Sequence, residues 1–430
     1  MEKDLKAVIL AAGKGTRMKS SFPKVLHEVF NKPLIARVLN SVIKSGAKEN
    51  IVVTGYGANL VDNYLLNNYK NVTTVFQKEQ LGTGHALRTA SEKLKGFKGN
   101  VLVLCGDTPL ITSETLKNTV EFHNRNNADI TVVSALLDNP VGYGRIIRNK
   151  DGNIEAVIEE KDADNKTKEI KEINSGIYCI NWETSGLGIS EIKNNNTQNE
   201  YYLTDLIKWG ISRSKKVCPY VLKSADEIFG INSKSDLAYA HKIIKQRKLN
   251  ELMNEGVTII DPDTTFISPE TVIEPDTVIL PSVVIEGENK IGKNCKIGPF
   301  AHLRGDCIIE ENVKIGNFVE LKKAYVKSNT NICHLTYVGD SDVGKKVNIG
   351  AGTITANYDS RTKKKSRTII KDNASIGSNS VLVAPVEIGE NALIGAGSVI
   401  TSNISDFALG ITRSKQKEIK NYIKQKERNQ

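Results

Sequence analysis

Two hydrophobic rhythms divide the chain. From Ile267 an aliphatic residue returns at every sixth position through Ile273, Ile279, Ile285, Ile291, Ile297, Leu303, Ile309, Ile315 and Leu321. The register slips and resumes at Val326, Ile332 and Val338, slips again to Val343 and Ile349, breaks over residues 355–369, and returns at Ile370, Ile376, Leu382, Ile388, Ile394 and Ile400. A period of six matches neither the 3.6 of a helix nor the alternation of a flat sheet. It matches short strands turning corners around a triangular prism, three hexapeptides to a coil, with the aliphatic residue pointing inward. Glycine follows that residue at Gly292, Gly298, Gly316, Gly344, Gly350, Gly377, Gly389 and Gly395, where the missing Cβ suits a tight turn. The break holds Asn357, Tyr358 and a run of Lys and Arg, and reads as a loop thrown out from the prism.

Residues 1–229 keep a different rhythm. Apolar runs at 6–10, 51–54, 101–104 and 130–134 alternate with helical stretches such as 32–45, the order of a mostly parallel sheet with helices on both faces. Ligands of such sheets sit beyond the carboxyl ends of the strands. Residues 235–256 read as one helix, with Leu237, Ala240, Ile244 and Leu252 approximating a stripe and Gly256 as its stop. The expected organisation is an α/β domain at 1–229, a helical linker at 230–256, and a β-prism with a basic tail at 257–430.

Composition narrows the chemistry. The 430 residues are 39% hydrophobic and 25% charged, enough for folded cores in two or three domains. No apolar run approaches the roughly 18 residues of a membrane span and the opening lacks a signal-peptide pattern, so the expected address is the cytoplasm, with no membrane partner. Six cysteines without a C-x-x-C pair exclude a zinc ribbon and read as reduced, mostly buried thiols. The excess of 59 basic over 49 acidic residues, +10, concentrates at 361–367 and from Arg413 onward. Such patches suit anionic small molecules, and no aromatic-interleaved motif supports nucleic acid as a partner. The tail from residue 414 reads as an amphipathic or frayed helix with a solvated face.

Candidate chemistry begins after the first strand, at Leu10-Ala11-Ala12-Gly13-Lys14-Gly15-Thr16-Arg17-Met18, with Pro23-Lys24 close behind. The loop is neither a Walker A motif nor a dinucleotide fingerprint, since Met18 stands where the third glycine belongs. Two cations, Arg17 and Lys24, are what a polyphosphate approached by backbone N–H groups needs. Cys105-Gly106-Asp107 sets a carboxylate at the end of the third strand, where Mg²⁺ would bridge it to phosphate oxygens. The competing reading is a cap for the next helix. Asn232 is the proposed second ligand of that ion.

These residues carry a resemblance. LAAGKGTRM, FPK, QKEQLGTGHA, CGDTPL, GYGRI, EEKDA, INSGI and EYYLTD occur in order, followed by AHLR, FVELKK, HLTYVGD, NIGAGT and NYD. From Leu10 to about Arg413 the chain resembles the bifunctional N-acetylglucosamine-1-phosphate uridylyltransferase/glucosamine-1-phosphate N-acetyltransferase family of bacterial cell-wall precursor synthesis. The resemblance implies a Rossmann-like nucleotidyltransferase domain, then a left-handed parallel β-helix of hexapeptide repeats that forms a homotrimer. It implies that the loop Leu10, Ala11, Ala12, Gly13 and Lys24 hold the triphosphate of UTP, and that Gln77, Gly82 and Thr83 read uracil beside Cys105 and Gly106. Asp107 and Asn232 would bind Mg²⁺, while Gly144, Glu159, Asn174 and Thr204 hold the amino sugar. In the second half it makes His334 the base that deprotonates the amine, oriented by Glu320. Arg304, Lys322, Tyr337, Asn348 and Lys363 would then form the sugar-phosphate pocket, and Ala351, Asn357, Tyr358, Ser378, Ala396 and Arg413 the contacts of acetyl-CoA.

The chain departs from the family pattern in three places. Gly305-Asp306 follows Arg304 where proline and glycine are usual, Cys105 stands at a position often tyrosine, and the loop 358–368 is longer than the pattern by about two residues, leaving Lys363, Lys364 and Lys365 as alternatives. Two other functions compete. One is a monofunctional nucleotidyltransferase with a structural β-helix, which leaves His334, Glu320 and the NYD segment unexplained. The other is a non-catalytic scaffold, which has no need of Lys24, Arg17 and Asp107.

Overall fold

The structure is a computed structural model describing residues 3–427. The chain forms two compact units that divide between residues 243 and 244.

In the first unit, β1 (Leu5–Ala11), β2 (Glu49–Thr54), β3 (Val72–Phe76) and β4 (Asn100–Cys105) pair in parallel in the order β3-β2-β1-β4. The sheet continues through β5 (Ile130–Leu136), β6 (Arg145–Arg148), β7 (Ile154–Ile158), β8 (Glu172–Asn181) and β9 (Val217–Val221). Strand β8 runs antiparallel between β4 and β5, and β9 closes the edge parallel to β5. The central strands are apolar at nearly every position because both faces are covered. Ala7, Ile9, Val52, Leu102 and Leu104 pack toward α1 (Leu34–Lys44), α2 (Ala58–Asn68) and α4 (Ser113–Arg125), while Val8, Ile51, Val53, Val101 and Val103 pack toward α3 (Thr83–Ser91). Helix α1 begins two residues later than its apolar pattern, since Pro33 disfavours helical backbone at Lys32 and Lys32–Pro33 instead pairs with Glu28–Val29. Register aligns Leu10 with Cys105 and Ala11 with Thr54, so the loops after β1, β2 and β4 open at one end of the sheet. A further helix spans Lys234–Asn254 and stops before Gly256, whose φ is +96°.

The second unit is a hexapeptide-repeat β-helix. Its strands pair only in parallel, and partners lie eighteen residues apart, as in Val284↔His302. The spacing falls to seventeen at Glu320↔Tyr337 and Asn331↔Asn348 and rises to 27 at Asn348↔Ser375. The slips in the hydrophobic rhythm are thus coils one residue short, and the break is an insertion. Every rung from Ile267 to Ile400 in the six-residue series is at most 3% exposed and belongs to one core. Each buried branched side chain there contributes about 1.5–3 kcal/mol. Thr355 takes a rung position inside the apparent break, its hydroxyl accepting the Gly339 N–H at 2.8 Å, so the prism continues through Ile354–Ala356 and resumes at Thr368–Ile370.

Gly298, φ +100°, makes the turn expected of it, but other repeat glycines serve a different purpose. A Cβ on Gly316 would stand 2.0 Å from the Cys333 carbonyl of the next coil, and one on Gly377 2.4 Å from Ala396 N. The positive φ of these corners falls instead two residues later, on Asn294, Asn379 and Asn391. Stacking distance between coils, not backbone turning, requires glycine there.

Candidate functional site

The loop after β1 bends through Gly15, φ +61°, where a Cβ would lie 2.7 Å from Lys24 Cβ. That close passage delivers Lys24 to the sheet's open end, and Met18, 1% exposed, pins the loop to the protein interior. Lys24 Nζ donates to Asp107 Oδ2 and, at 3.2 Å, to Asn232 Oδ1. The Asp107 carbonyl accepts Ile231 N–H at 2.9 Å, which explains how Asn232 arrives from so far along the chain. Helix α4 is capped by Thr112, whose hydroxyl accepts Thr115 N–H at 3.1 Å, so Asp107 is not a cap.

A cavity of about 280 Å³ opens here, lined by Leu10, Ala11, Ala12, Gly13, Lys24, Gln77, Gly82, Thr83, Cys105 and Asp107, together with Val25, Gln80, Ala86 and Glu200, which sequence reasoning missed. Gln77 is buried, its amide nitrogen 2.9 Å from His85 Nδ1. Gly82 has φ +103°, and a Cβ there would meet the Tyr201 carbonyl at 2.7 Å. Gly106 packs on Ile35 behind the cavity and donates to the Leu10 carbonyl at 2.9 Å. Arg17 lies exposed on the 3-10 turn Thr16–Met18 and lines neither this cavity nor the next.

A second cavity of about 180 Å³ shares Leu10, Thr83 and Cys105 with the first and adds Gly144, Glu159, Asn174 and Thr204. Thr204 donates to Glu159 at 3.2 Å, and the Tyr178 hydroxyl donates to Asn174 at 3.0 Å. Burial raises the Glu159 carboxyl above its ordinary range, with the Thr204 hydrogen bond opposing. Burial and then Asp107 push the Cys105 thiol up to about 12, leaving it inert as a nucleophile. Among the described residues no three His, Cys, Asp or Glu side chains gather as a metal cluster. Asp107 and Asn232 offer two hard oxygens converging on one cation, a set that suits Mg²⁺ completed by phosphate and water.

The other candidate residues lie on the β-helix. Asn317, His334, Ala351, Ser378 and Ala396 each precede a residue of positive φ, namely Phe318, Leu335, Gly352, Asn379 and Gly397. Hydrogen bonds join this column along one prism edge: Leu335 N–H to Asn317 O at 2.9 Å, Asn379 N–H to Ala351 O at 2.7 Å, and Gly397 N–H to Ser378 O at 2.8 Å. The Arg413 guanidinium donates to Ala396 O at 2.8 Å and ends the row. Glu320 and Tyr337 are register partners on the adjoining face, and Asn348 pairs with Asn331 on the other.

Two details differ from expectation. The Glu320 carboxylate accepts from Arg304 at 2.9 Å, and among the described residues neither ring nitrogen of His334 has a hydrogen-bond partner. Lys365, not Lys363, faces Lys322: first Lys365 and then Arg304 hold the Lys322 ammonium below its ordinary value. The reason is the hairpin of the inserted loop, in which Tyr358 bridges Lys365 and Lys363 is carried to the exposed turn with φ +56°. Asn357, buried, donates to Asp340 and, at 3.5 Å, to the Tyr337 hydroxyl. Asp306 pairs with Lys323 at 3.6 Å, so its carboxylate turns to Lys323 for its cation and leaves Arg304 to Glu320.

A nucleotide-sized trough at the strand ends of one unit and a histidine-bearing prism edge in the other define a transferase with two sites. The nucleotidyl transferase family model matches residues 6–226, and that of the bacterial transferase hexapeptide, six repeats, matches 290–323 and 367–402. The "Bifunctional protein GlmU" of Acetivibrio thermocellus is 44% identical over 96% of this chain and 95% of its own length. Those of Shouchella clausii (43%; 97% and 98%) and Caldanaerobacter subterraneus (44%; 98% and 98%) are similarly close. The chain belongs to the bifunctional GlmU family.

Proposed function

We propose that the first unit, with the catalytic domain expected at 1–229, carries uridylyl transfer and the β-helix carries acetyl transfer. The chain is a bifunctional enzyme of UDP-N-acetylglucosamine synthesis: it acetylates glucosamine 1-phosphate from acetyl-CoA, then joins the product to UTP with release of pyrophosphate. The observation that carries the first assignment is the convergence of Lys24, Asp107 and Asn232 at the mouth of the trough. Lys24 and the exposed Arg17 neutralise the triphosphate, Gln77, Gly82 and Thr83 receive uracil, and Gly144, Glu159, Asn174 and Thr204 hold the sugar so that its phosphate oxygen faces the α-phosphorus. Such chemistry needs placement and charge rather than a protein nucleophile. Asp107 and Asn232 would hold Mg²⁺, which supplies neutralisation of phosphate charge when bound.

In the second unit, the row from His334 to Arg413 supports a coenzyme lying along the prism edge, with its phosphates toward Arg413. Arg304, Lys322 and Lys365 gather three cations for the sugar phosphate, and Tyr337 and Asn348 flank it. His334 takes the amine proton, while Glu320 keeps Arg304 placed and lends negative charge to the developing imidazolium. The homotrimer is supported by exposed apolar corners at Phe300, Phe318 and Leu335. No helix among the described residues is long and apolar enough to cross a membrane.

His334→Ala is expected to abolish coenzyme A release from acetyl-CoA and glucosamine 1-phosphate while UTP is still consumed with N-acetylglucosamine 1-phosphate. Asp107→Asn is expected to do the reverse. Equal loss of both activities in either variant refutes separate sites.

A further inference from the structure

A buried acceptor lies beside the exposed imidazole. Asn317 ends the strand Lys314–Asn317, and its register partner in the next coil is His334, which ends Asn331–His334. Partners in a parallel ladder project their side chains to the same side, one strand spacing of about 4.8 Å apart. The Asn317 side-chain oxygen is buried and, among the described residues, has no hydrogen-bond partner. A buried carbonyl left unpaired is costly, so it calls for a donor. Its ladder partner is His334, and Pro299, eighteen residues earlier in the chain, has no N–H to give. His334 in turn has both ring nitrogens unengaged, and Glu320 is taken by Arg304.

We propose that Asn317 is a positioning residue of acetyl transfer: its side-chain oxygen accepts the N–H of the His334 imidazole and fixes the ring's tautomer. This rests on the reading of His334 as the base. The opposite ring nitrogen then presents its lone pair to the amine. As the amine nitrogen bonds to the thioester carbonyl carbon, its proton moves to that ring nitrogen, the C–S bond breaks, and the proton passes to the departing thiolate. Being neutral, the carboxamide orients the ring without adding charge to it.

The test compares Asn317→Leu, which removes the acceptor at similar volume, with Asn317→Asp, which keeps an oxygen there, both in the full chain. The leucine variant should lower kcat for coenzyme A release by about tenfold to a hundredfold while KM for glucosamine 1-phosphate stays within about twofold; the aspartate variant should recover most of the rate. Nitrogen-15 spectra of the His334 ring should show one neutral tautomer in the wild type and a mixture in the leucine variant. Wild-type kcat in the leucine variant, equal losses in both variants, or mixed tautomers in the wild type would each overturn the inference. If His334→Ala still releases coenzyme A, the base assignment itself falls; an inactive His334→Ala beside a full-rate Asn317→Leu sinks only the role of Asn317.

Discussion

Lys363 and Lys365 share one loop, yet only Lys365 lies against Lys322, where its charge is the largest influence on that ammonium. Glu320 accepts from Arg304 alone, so Lys322 and Lys365 still repel one another beside that pair, and a phosphate relieves the repulsion on binding. Lys365→Ala should therefore raise KM for glucosamine 1-phosphate about tenfold, and Lys363→Ala should leave it unchanged; initial rates of coenzyme A release measure both. Glu159 is a second residue where charge decides. Its carboxyl is raised by burial, so the folded state binds its proton more tightly than the unfolded state, and its contribution to stability falls as pH rises through the carboxylate range. Glu159→Gln should raise the thermal midpoint of the first unit at neutral pH. The gain should vanish in acid, where the wild-type carboxyl is already neutral, and KM for N-acetylglucosamine 1-phosphate should rise. Most residues that line the trough were legible in the chain because short motifs at strand ends deliver them. Gln80 and Glu200 were not, since a lining role depends on how loops lie across one another; in the second unit, a run of adjacent lysines does not say that Lys365 is the one a hairpin turns inward.

Coils are the element that the period of six made visible, because every rung must fill the same narrow interior. The slips were visible too, but their cause needed the register: a coil of seventeen residues instead of eighteen still closes. Thr355 hid a rung because a threonine that satisfies its hydroxyl on the Gly339 backbone substitutes for an aliphatic residue. The glycines mislead in part: Gly298 turns the chain as expected, while Gly316 and Gly377 are required by close stacking, and both needs select the smallest residue. That distinction is testable. Gly316→Ala places a methyl carbon 2.0 Å from the Cys333 carbonyl, one residue before His334, at a φ any residue adopts. It should destabilise the β-helix by about 3 kcal/mol and depress acetyl transfer, while uridylyl transfer persists. A thermal melt followed by both activities measures it, and an unperturbed melt would mean that neighbouring coils part easily.

The molecule as a whole exposes something a lone prism has no reason to keep. Phe300, Phe318 and Leu335 occupy successive corners with φ of +53°, +54° and +47°, a region where bulky side chains are strained. They are 50%, 54% and 60% exposed, and the two phenyl rings stack with centroids 5.2 Å apart. Strain and exposure at three adjacent corners argue for a surface that a second copy of the chain covers, beside the edge that bears His334. Aspartate tolerates this backbone region better than phenylalanine, so Phe318→Asp relaxes the corner itself while placing a charge on the covered surface. On the proposed trimer, the wild type should sediment as three chains and the variant as one. Acetyl transfer should fall with the change in mass and uridylyl transfer should not. A variant that stays trimeric, or a dissociated one that acetylates at full rate, would show that this edge works without a neighbour and that the apolar corners serve some other contact.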